Sequence, residues 1–203
     1  MEIELRKIYI SRQFSEETVA FTANLWIDGR KVGYASNDGK GGCTNYEPDH
    51  PDDRDTLRAA EEYCKTLPPW KLDDTTSIPM NLEHFIDRKI DEYANMEERK
   101  RFQRKMEKSM AAHIVFGIPG ADEFKSYPTS APIVALLSSE SGQQLLSNEI
   151  QQVVTAFIKP GEQILNTNIP SELRDLSIYK KEGQQQERKI HPQQRKGNPP
   201  KLT

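Results

Sequence analysis

The chain has 203 residues, a formal net charge of −3, 35% hydrophobic residues and 29% charged residues. This length suffices for one domain with a hydrophobic core, and no run approaches the ~20 apolar residues that span a bilayer. The N-terminal residues lack the charged-then-apolar order of a secretory signal, so we expect a cytoplasmic protein. Its two cysteines, Cys43 and Cys64, are then expected to be free thiols.

Alternating apolar residues predict three β-strands near the N-terminus. Residues 3–10 alternate with a change of phase, which indicates a bulge near Arg6-Lys7. Residues 21–27 alternate without interruption, and Asp28-Gly29 is the dipeptide favoured in a type I′ hairpin turn. Because the alternation resumes after that turn, the sequence predicts an antiparallel three-stranded meander over residues 2–36.

Apolar residues at spacings of three and four predict three helices in the rest of the chain. The first begins in the run Asp49–Asp53, where aspartates complement free amides, and it ends at Pro68-Pro69. The second is capped by Asn81, and its apolar face changes side near Asn95. Either one long helix packs on two partners or the helix breaks there, and a break or kink is favoured. The third spans about 139–158.

Short apolar runs predict further strands. Residues 113–120 fit a buried strand, residues 163–166 a last strand, and residues 133–137 either a short strand or the lead-in to a helix. Together these elements predict one α+β domain over residues 1–179. Its antiparallel meander is extended by one or two further short strands, and three or four helices pack mainly on one face.

The C-terminal segment differs in composition from the rest of the chain. From Lys180 onward it holds seven Lys or Arg, two Glu and almost no large apolar residue. Such a composition cannot form a core, so residues 180–203 are predicted to be a disordered basic tail. A tail of this kind contacts polyanions weakly, through counterion release.

A glycine-rich loop follows the third predicted strand, with three of the eleven glycines inside four positions. Only glycine adopts positive φ freely, so the loop is either a demanding turn or a place where main-chain amides bind an anion. A turn would use the Asn37 and Asp38 side chains to bond their own backbone. No nucleotide-binding fingerprint is present. The loop residues assigned to ligand binding are Asn37, Asp38, Gly39, Lys40, Gly41 and Gly42.

Two further features are assigned to the same ligand surface. Trp26 points to the polar side of its strand, where it either anchors a partner or is covered by a helix. Asn166 and Asn168 follow a short strand, and their amides either bind a ligand or form local turns. We expect the loop, Trp26 and these asparagines to border one surface that binds a host protein or a small phosphorylated molecule.

Catalysis is the alternative hypothesis for the loop. Cys43 lies beside the glycines and is a weak candidate nucleophile with His50 as its base. The loop carboxylate Asp38, with Glu16 and Glu17, offers a second route to a small hydrolase or transferase. No Cys or His pair has the spacing of a zinc site. A binding protein without metal or cofactor is therefore favoured over an enzyme.

Basic residues cluster in the second predicted helix between 97 and 108. One interpretation is a phosphate-binding stripe that binds nucleic acid together with the tail. The other is a solvated face with i,i+4 ion pairs such as Glu97–Arg101. The residues that share the basic face are Arg101, Arg104, Lys105 and Lys108.

The segments 14–18 (FSEET), 37–42 (NDGKGG) and 164–168 (ILNTN) together resemble a family of uncharacterised bacterial proteins. Its members are often carried by phages, plasmids and other mobile elements. The resemblance extends from the first strand to about Ile169, and the basic helix at 97–108 departs from the family pattern. Because the family has no settled activity, the resemblance implies a setting, an accessory or host-interaction role, and no mechanism.

Overall fold

The computed structural model describes residues 1–179. These residues belong to two compact units, Met1–Glu98 and a second unit that begins at Arg99. The assignment of residues 1–179 to a single domain stays a prediction. The predicted basic tail, 180–203, lies outside the described residues.

The N-terminal meander is confirmed and continues into a fourth strand. Its four strands are antiparallel, and each pairs with its neighbours in the sequence. The strands are β1 (Ile3–Ile10), β2 (Phe21–Ile27), β3 (Arg30–Asn37) and β4 (Asn45–Pro48). The glycine-rich loop is therefore the connection between β3 and β4.

Two backbone irregularities predicted in the meander are both present. The β1–β2 register shifts between Arg6 and Tyr9, and Lys7 has a positive φ of 51°, so the strand has a bulge there. Asp28 and Gly29 have φ values of 48° and 77°, which is the sign that a type I′ turn requires at both positions. The Asp28 carboxylate also accepts a hydrogen bond from the Glu2 amide at 2.8 Å.

The region after β4 differs in detail from the prediction. A 3₁₀ turn, Pro51–Asp53, leads into α1 (Arg54–Lys65). The Asp49 side chain, in the run predicted to begin this helix, forms an ion pair with Lys31 at 2.8 Å. Residues 70–80 contain a small hairpin. Its strands are β5 (Trp70–Lys71) and β6 (Ser77–Ile78).

The core of the first unit lies between one face of the meander and two helices. The residues of β2 that were predicted to share a face are buried together with apolar residues of α1 and of α2 (Leu82–Met110). Asn81 caps α2, because its side-chain oxygen accepts a hydrogen bond from the His84 amide at 2.7 Å. The buried side chains include Phe21, Ala23, Leu25, Ile27, Leu57, Ala60, Cys64, Leu82, Ile86 and Ile90.

The predicted break near Asn95 is wrong, because α2 runs without interruption over 29 residues. No Gly or Pro lies inside this helix, and those are the residues that interrupt the backbone hydrogen bonds. The apolar face changes because the helix contributes to two packing environments. Ile86 and Ile90 belong to the core of the first unit, whereas Phe102 contacts Phe124, with ring centroids 5.5 Å apart.

The second unit has its own sheet and core. The sheet order is β8-β7-β9 and the pairing is antiparallel. The predicted strands near 113 and 163 are confirmed, and residues 133–137 form a helix. The elements are β7 (His113–Gly117), β8 (Lys125–Pro128), α3 (Ile133–Leu137), α4 (Glu140–Ala156), β9 (Gln163–Ile164) and α5 (Ser171–Arg174).

The α+β class with an N-terminal antiparallel meander is thus confirmed. Short strands are more numerous than predicted: six follow the first three in the described residues, where one or two were expected. The strands that were not predicted, β4, β5, β6 and β8, have only two or four residues, which is too short for a periodic signal. No helix in residues 1–179 is both long and apolar enough to cross a bilayer.

Candidate functional site

The glycine-rich loop folds back onto the segment that connects β1 and β2. The carbonyl oxygen of Gly39 accepts hydrogen bonds from the amides of Glu16, Glu17 and Thr18, at 3.0, 3.0 and 3.3 Å. Three consecutive amides around one oxygen form a nest of the kind that binds anions. Here the Gly39 carbonyl fills that nest, so segments 14–18 and 37–42 hold each other in place.

Two of the three loop glycines are needed because their backbone has positive φ and approaches other atoms closely. Gly39 and Gly41 have φ values of 86° and 83°, which side-chain-bearing residues rarely adopt. A Cβ at Gly39 would overlap the Phe14 carbonyl oxygen, and one at Gly41 would overlap the Glu17 carboxylate. A Cβ at Gly42 would meet nothing within 4 Å. Gly42 is therefore the one glycine of the loop that can be replaced without a clash.

Three amides of the loop donate hydrogen bonds to side chains of the protein. The Gly39 amide donates to the Asn37 side chain at 2.8 Å, and the Lys40 amide donates to Asp38 at 3.2 Å. The Gly41 amide donates to the Thr18 hydroxyl at 3.3 Å. The expectation that the glycine amides converge on an open concavity is therefore wrong for Gly39 and Gly41. The ligand-binding role of the loop residues stays a prediction, and the turn interpretation accounts for their backbone.

The buried side chain of Asn37 joins the loop to its surroundings. Its oxygen accepts a hydrogen bond from the Thr18 hydroxyl at 2.9 Å, and its amide donates to Gly42 O at 2.9 Å and Thr44 Oγ1 at 3.3 Å. Thr44 in turn donates its amide to Glu83 and its hydroxyl to Asp87 on α2. These bonds fix the loop against the helix and set its position as the border of a cavity.

A cavity of about 470 Å³ lies beside the loop, within the first unit. Its walls come from residues 15–19, from Asn37 and Gly42 of the loop, and from the α2 residues Asp87, Ile90 and Asp91. Phe21 and Trp70 complete the lining. This volume is within the range of roughly 300–1,000 Å³ that is typical of small-molecule sites.

The cavity lining is acidic. Its acidic residues are Glu16 and Glu17 on one wall, both exposed, and Asp87 and Asp91 on α2, with no Lys or Arg among the lining residues that the structure describes. Burial raises the pKa of Asp91 above its usual value. Burial also raises the pKa of Asp87, the nearby Glu83 carboxylate raises it further, and the Thr44 hydrogen bond opposes the shift.

Asp87 and Asp91 were not assigned to a site from the sequence. The signal was present, since Glu83, Asp87 and Asp91 repeat every four residues and therefore lie on one face of the helix. That face is adjacent to the apolar stripe that contains Ile90. An acidic row beside an apolar stripe is common on exposed helices, so the pattern alone did not distinguish a cavity wall from a solvated surface.

Trp26, Asn166 and Asn168 are not among the lining residues of this cavity, and their assignment to a ligand surface shared with the loop stays a prediction. The Arg6 guanidinium lies 4.0 Å from the centroid of the Trp26 ring, and Trp26 Nε1 is buried without a hydrogen-bond partner in the described structure. Arg6 itself is held by Glu4. Trp26 is therefore covered on one side by a cation–π contact with its own sheet.

The asparagines after β9 are structural. Asn166 is fully buried; its oxygen accepts from the Val115 amide at 2.6 Å and its amide donates to the His113 carbonyl at 3.0 Å. The Asn168 amide donates to the Met110 carbonyl at 2.7 Å. The Asn166 bonds satisfy backbone groups of β7, and the Asn168 bond satisfies the carbonyl of the last residue of α2, so the local-turn interpretation fits both residues.

The candidate catalytic pair is not assembled. Strand β4 lies between Cys43 and His50, and an extended strand of four residues spans on the order of 10 Å, beyond the reach of a nucleophile–base pair. Cys64 is buried, and this burial raises its pKa to about 11.

Within residues 1–179, no group of three or more His, Cys, Asp or Glu side chains is arranged to hold a metal ion.

The basic residues assigned to nucleic-acid binding all lie exposed on the second half of α2. They are Arg101, Arg104, Lys105 and Lys108. Lys105 Nζ lies 5.9 Å from the centroid of the Phe124 ring. Glu107 is interleaved with these residues and accepts a hydrogen bond from Gln103 at 3.3 Å. A role in binding nucleic acid stays a prediction.

No family model, curated protein or solved structure matches the chain. The resemblance to mobile-element proteins accordingly stays a prediction, and function is inferred from the geometry of the site. That geometry describes an α+β protein whose first unit carries an acidic cavity bordered by a hydrogen-bonded glycine loop.

Proposed function

We propose that this chain is a small, non-enzymatic binding protein, an accessory factor of a mobile element, whose ligand site is the cavity beside the glycine loop. The observation that supports this proposal is the cavity itself. Its volume is about 470 Å³, within the range of ligand sites, and its lining combines four apolar side chains with polar and acidic residues. The mechanism we propose is sequestration or occlusion of the bound partner.

The border of the cavity is organised before any ligand binds. Asn37 bonds the loop to Thr18 and Thr44, and Thr44 bonds to α2. The nest of amides at residues 16–18 holds the Gly39 carbonyl. A site whose walls are already fixed loses little conformational entropy on binding, which favours affinity.

The lining favours binding over catalysis. The only hydroxyl nucleophiles among the described lining residues are Ser15 and Thr18. The Ser15 hydroxyl donates to Ser11 O and accepts from the Ala20 amide, and the Thr18 hydroxyl donates to Asn37. No His, Lys or Cys belongs to the described lining. A hydrolase or transferase would need a free nucleophile with a base beside it.

The test uses Gly42, because this position accepts a side chain without a backbone clash. We expect Gly42→Phe to fill the cavity and leave the fold intact, with Gly42→Ala as the matched control that leaves most of the volume open. Two-dimensional NMR spectra of the ¹⁵N-labelled full chain would be recorded with a chemically diverse set of metabolites and fragments.

The expected result is that some compounds shift the amide signals of Thr18, Gly42 and Asp91 in the wild type and in Gly42→Ala. These shifts should be lost in Gly42→Phe. The proposal is wrong if no compound moves the signals of the lining residues, or if compounds that do so bind Gly42→Phe as well as the wild type.

A further inference from the structure

The lining of the cavity beside the glycine loop holds four acidic residues and, in the described part of the chain, no Lys, Arg or His. We infer that it binds an organic cation: an amidinium, guanidinium or ammonium group carried on an apolar stem. This inference rests on the proposed function, since it names the ligand class for the same cavity. Three features of the lining support it: donors that are already used, carboxylates that are unpaired, and apolar walls.

Apart from the Trp70 indole N–H, the side-chain donors of the described lining are used inside the protein. The amides of residues 16–18 bond the Gly39 carbonyl. The Thr18 hydroxyl donates to Asn37 Oδ1, the Ser15 hydroxyl donates to Ser11 O, and the Asn37 amide donates to Gly42 and Thr44. An anionic or acceptor-rich ligand would therefore find few partners and would lose its hydration on entry.

The carboxylates of the lining are largely unpaired. In the described part of the chain, Glu16, Glu17 and Asp91 have no hydrogen bond or ion pair to their side chains, and Asp87 bonds only Thr44. No cationic side chain is among the described lining residues. Burial raises the pKa of both Asp87 and Asp91, so a charge on either of these two carboxylates is costly in this place. A bound cation with N–H donors removes that cost and forms charge-assisted hydrogen bonds.

The apolar part of the lining suits the stem and the flat face of such a cation. Phe21 and Ile90 are 4% and 1% exposed, so they provide a fixed floor. Val19 and half-buried Trp70 provide the remaining apolar surface. Aromatic faces attract cations, and a planar amidinium or guanidinium group can stack on Trp70 while its edges face the carboxylates.

The experiment compares three ligands of the same shape and different charge: benzamidine, benzamide and benzoate. Isothermal titration calorimetry on the full chain would measure their dissociation constants. We expect benzamidine to bind at least about tenfold more tightly than benzamide, the ratio for about 1.4 kcal/mol of charge-assisted bonding. We expect no binding of benzoate. Equal affinities for benzamidine and benzamide, tighter binding of benzoate, or no binding of benzamidine would overturn the inference.

A pair of charge-matched variants separates a site from general attraction to an acidic protein. Asp91→Asn and Glu92→Gln each remove one negative charge from neighbouring positions of α2, but only Asp91 lines the cavity. Benzamidine affinity should fall about tenfold in Asp91→Asn and change little in Glu92→Gln. Equal losses in the two variants would show that the attraction is not local, and the inference would fail. Circular dichroism would confirm that both variants are folded.

Two further ligands identify the source of the cation. Agmatine is a free small molecule, whereas a blocked tripeptide with a central arginine presents the same guanidinium on a polypeptide. Tighter binding of the tripeptide indicates a protein partner, and exclusive binding of agmatine indicates a metabolite. If neither binds, the guanidinium form of the inference is wrong.

The inference and the proposed function can fail separately. If neutral compounds bind the wild type as well as benzamidine does and lose affinity in Gly42→Phe, the cavity is a ligand site without preference for cations. If no compound of any charge responds to Gly42→Phe, both are wrong.

Discussion

The glycine loop in the first unit and the asparagine segment after β9 have similar sequence signatures. Each places polar and small residues directly after a predicted strand, and each was assigned to ligand binding. In the structure, both are organised by one buried asparagine, Asn37 in the loop and Asn166 after β9. Both asparagines bond neighbouring backbone groups.

The difference lies in what remains after those bonds are made. Around Asn166, the side-chain amides and the backbone satisfy one another. Beside Asn37, a cavity remains, and carboxylates that have no partner in the described structure face it. Polar residues in a turn therefore indicate a binding site only when the fold leaves some of their neighbours unsatisfied. Four sets of variants test this contrast between the two regions.

Replacing Asn166 should give the largest loss of stability. Asn166→Ala leaves the Val115 amide and the His113 carbonyl of β7 without partners in a buried position. Unsatisfied buried groups cost about 1–3 kcal/mol each, so we expect a decrease in the free energy of unfolding of about 2–4 kcal/mol. Urea denaturation measures this decrease. A decrease below about 0.5 kcal/mol, the range of surface changes, would contradict the structural role.

Replacing Asn37 should lower stability less and should also affect binding. Asn37→Ala removes bonds to Thr18, Gly39, Gly42 and Thr44, at a cost of about 1–3 kcal/mol. The loop then loses the side-chain bonds that join it to Thr18 and Thr44 at the border of the cavity, so the affinity for any cavity ligand should fall as well. Asn166→Ala is the control for this additional effect, because it should leave cavity binding unchanged. Ligand affinity that is unaltered in Asn37→Ala would remove the distinction between the two regions.

The glycines of the loop should differ sharply in tolerance. Gly39→Ala introduces a Cβ at positive φ, against the Phe14 carbonyl, and should cost about 1–3 kcal/mol. Gly42→Ala meets no atom within 4 Å and should change stability by no more than about 0.5 kcal/mol. Thermal unfolding of the two variants measures the difference. Similar melting temperatures would show that the loop does not approach residues 14–18 closely.

The smallest effect concerns pH. Because burial raises the pKa of Asp91 above its unfolded value near 3.8, the folded protein binds its proton more tightly than the unfolded chain does. The contribution of this group therefore favours folding at low pH and becomes unfavourable as pH rises through the raised pKa. Asp91→Asn should be slightly more stable than the wild type at pH 7, and this gain should disappear towards pH 4. A gain that is the same at both pH values would argue against the burial effect.

Regular elements of this protein were predictable because their signals are local. Alternation over residues 21–27, the Asp28-Gly29 turn and the Asn81 cap each depend on a few neighbouring residues, and all three are present in the structure. The two-residue strands carry too few residues for a periodic pattern. The predicted break near Asn95 was wrong for a different reason. The apolar face of a continuous helix can change side when the helix packs in two environments.

Local sequence was sufficient to specify the antiparallel meander, the helical stripes and the positions where glycine and asparagine were needed. It was not sufficient to specify which polar groups found partners, because that depends on the folded chain. Hydrogen bonds such as Thr44–Asp87 and Val115–Asn166 join residues more than forty positions apart, and no local pattern encodes such a pairing. For the same reason the acidic cavity could not be predicted from the sequence. Its walls come from segments that are distant in the chain. Its acidic residues lack partners because of where folding brings those segments together.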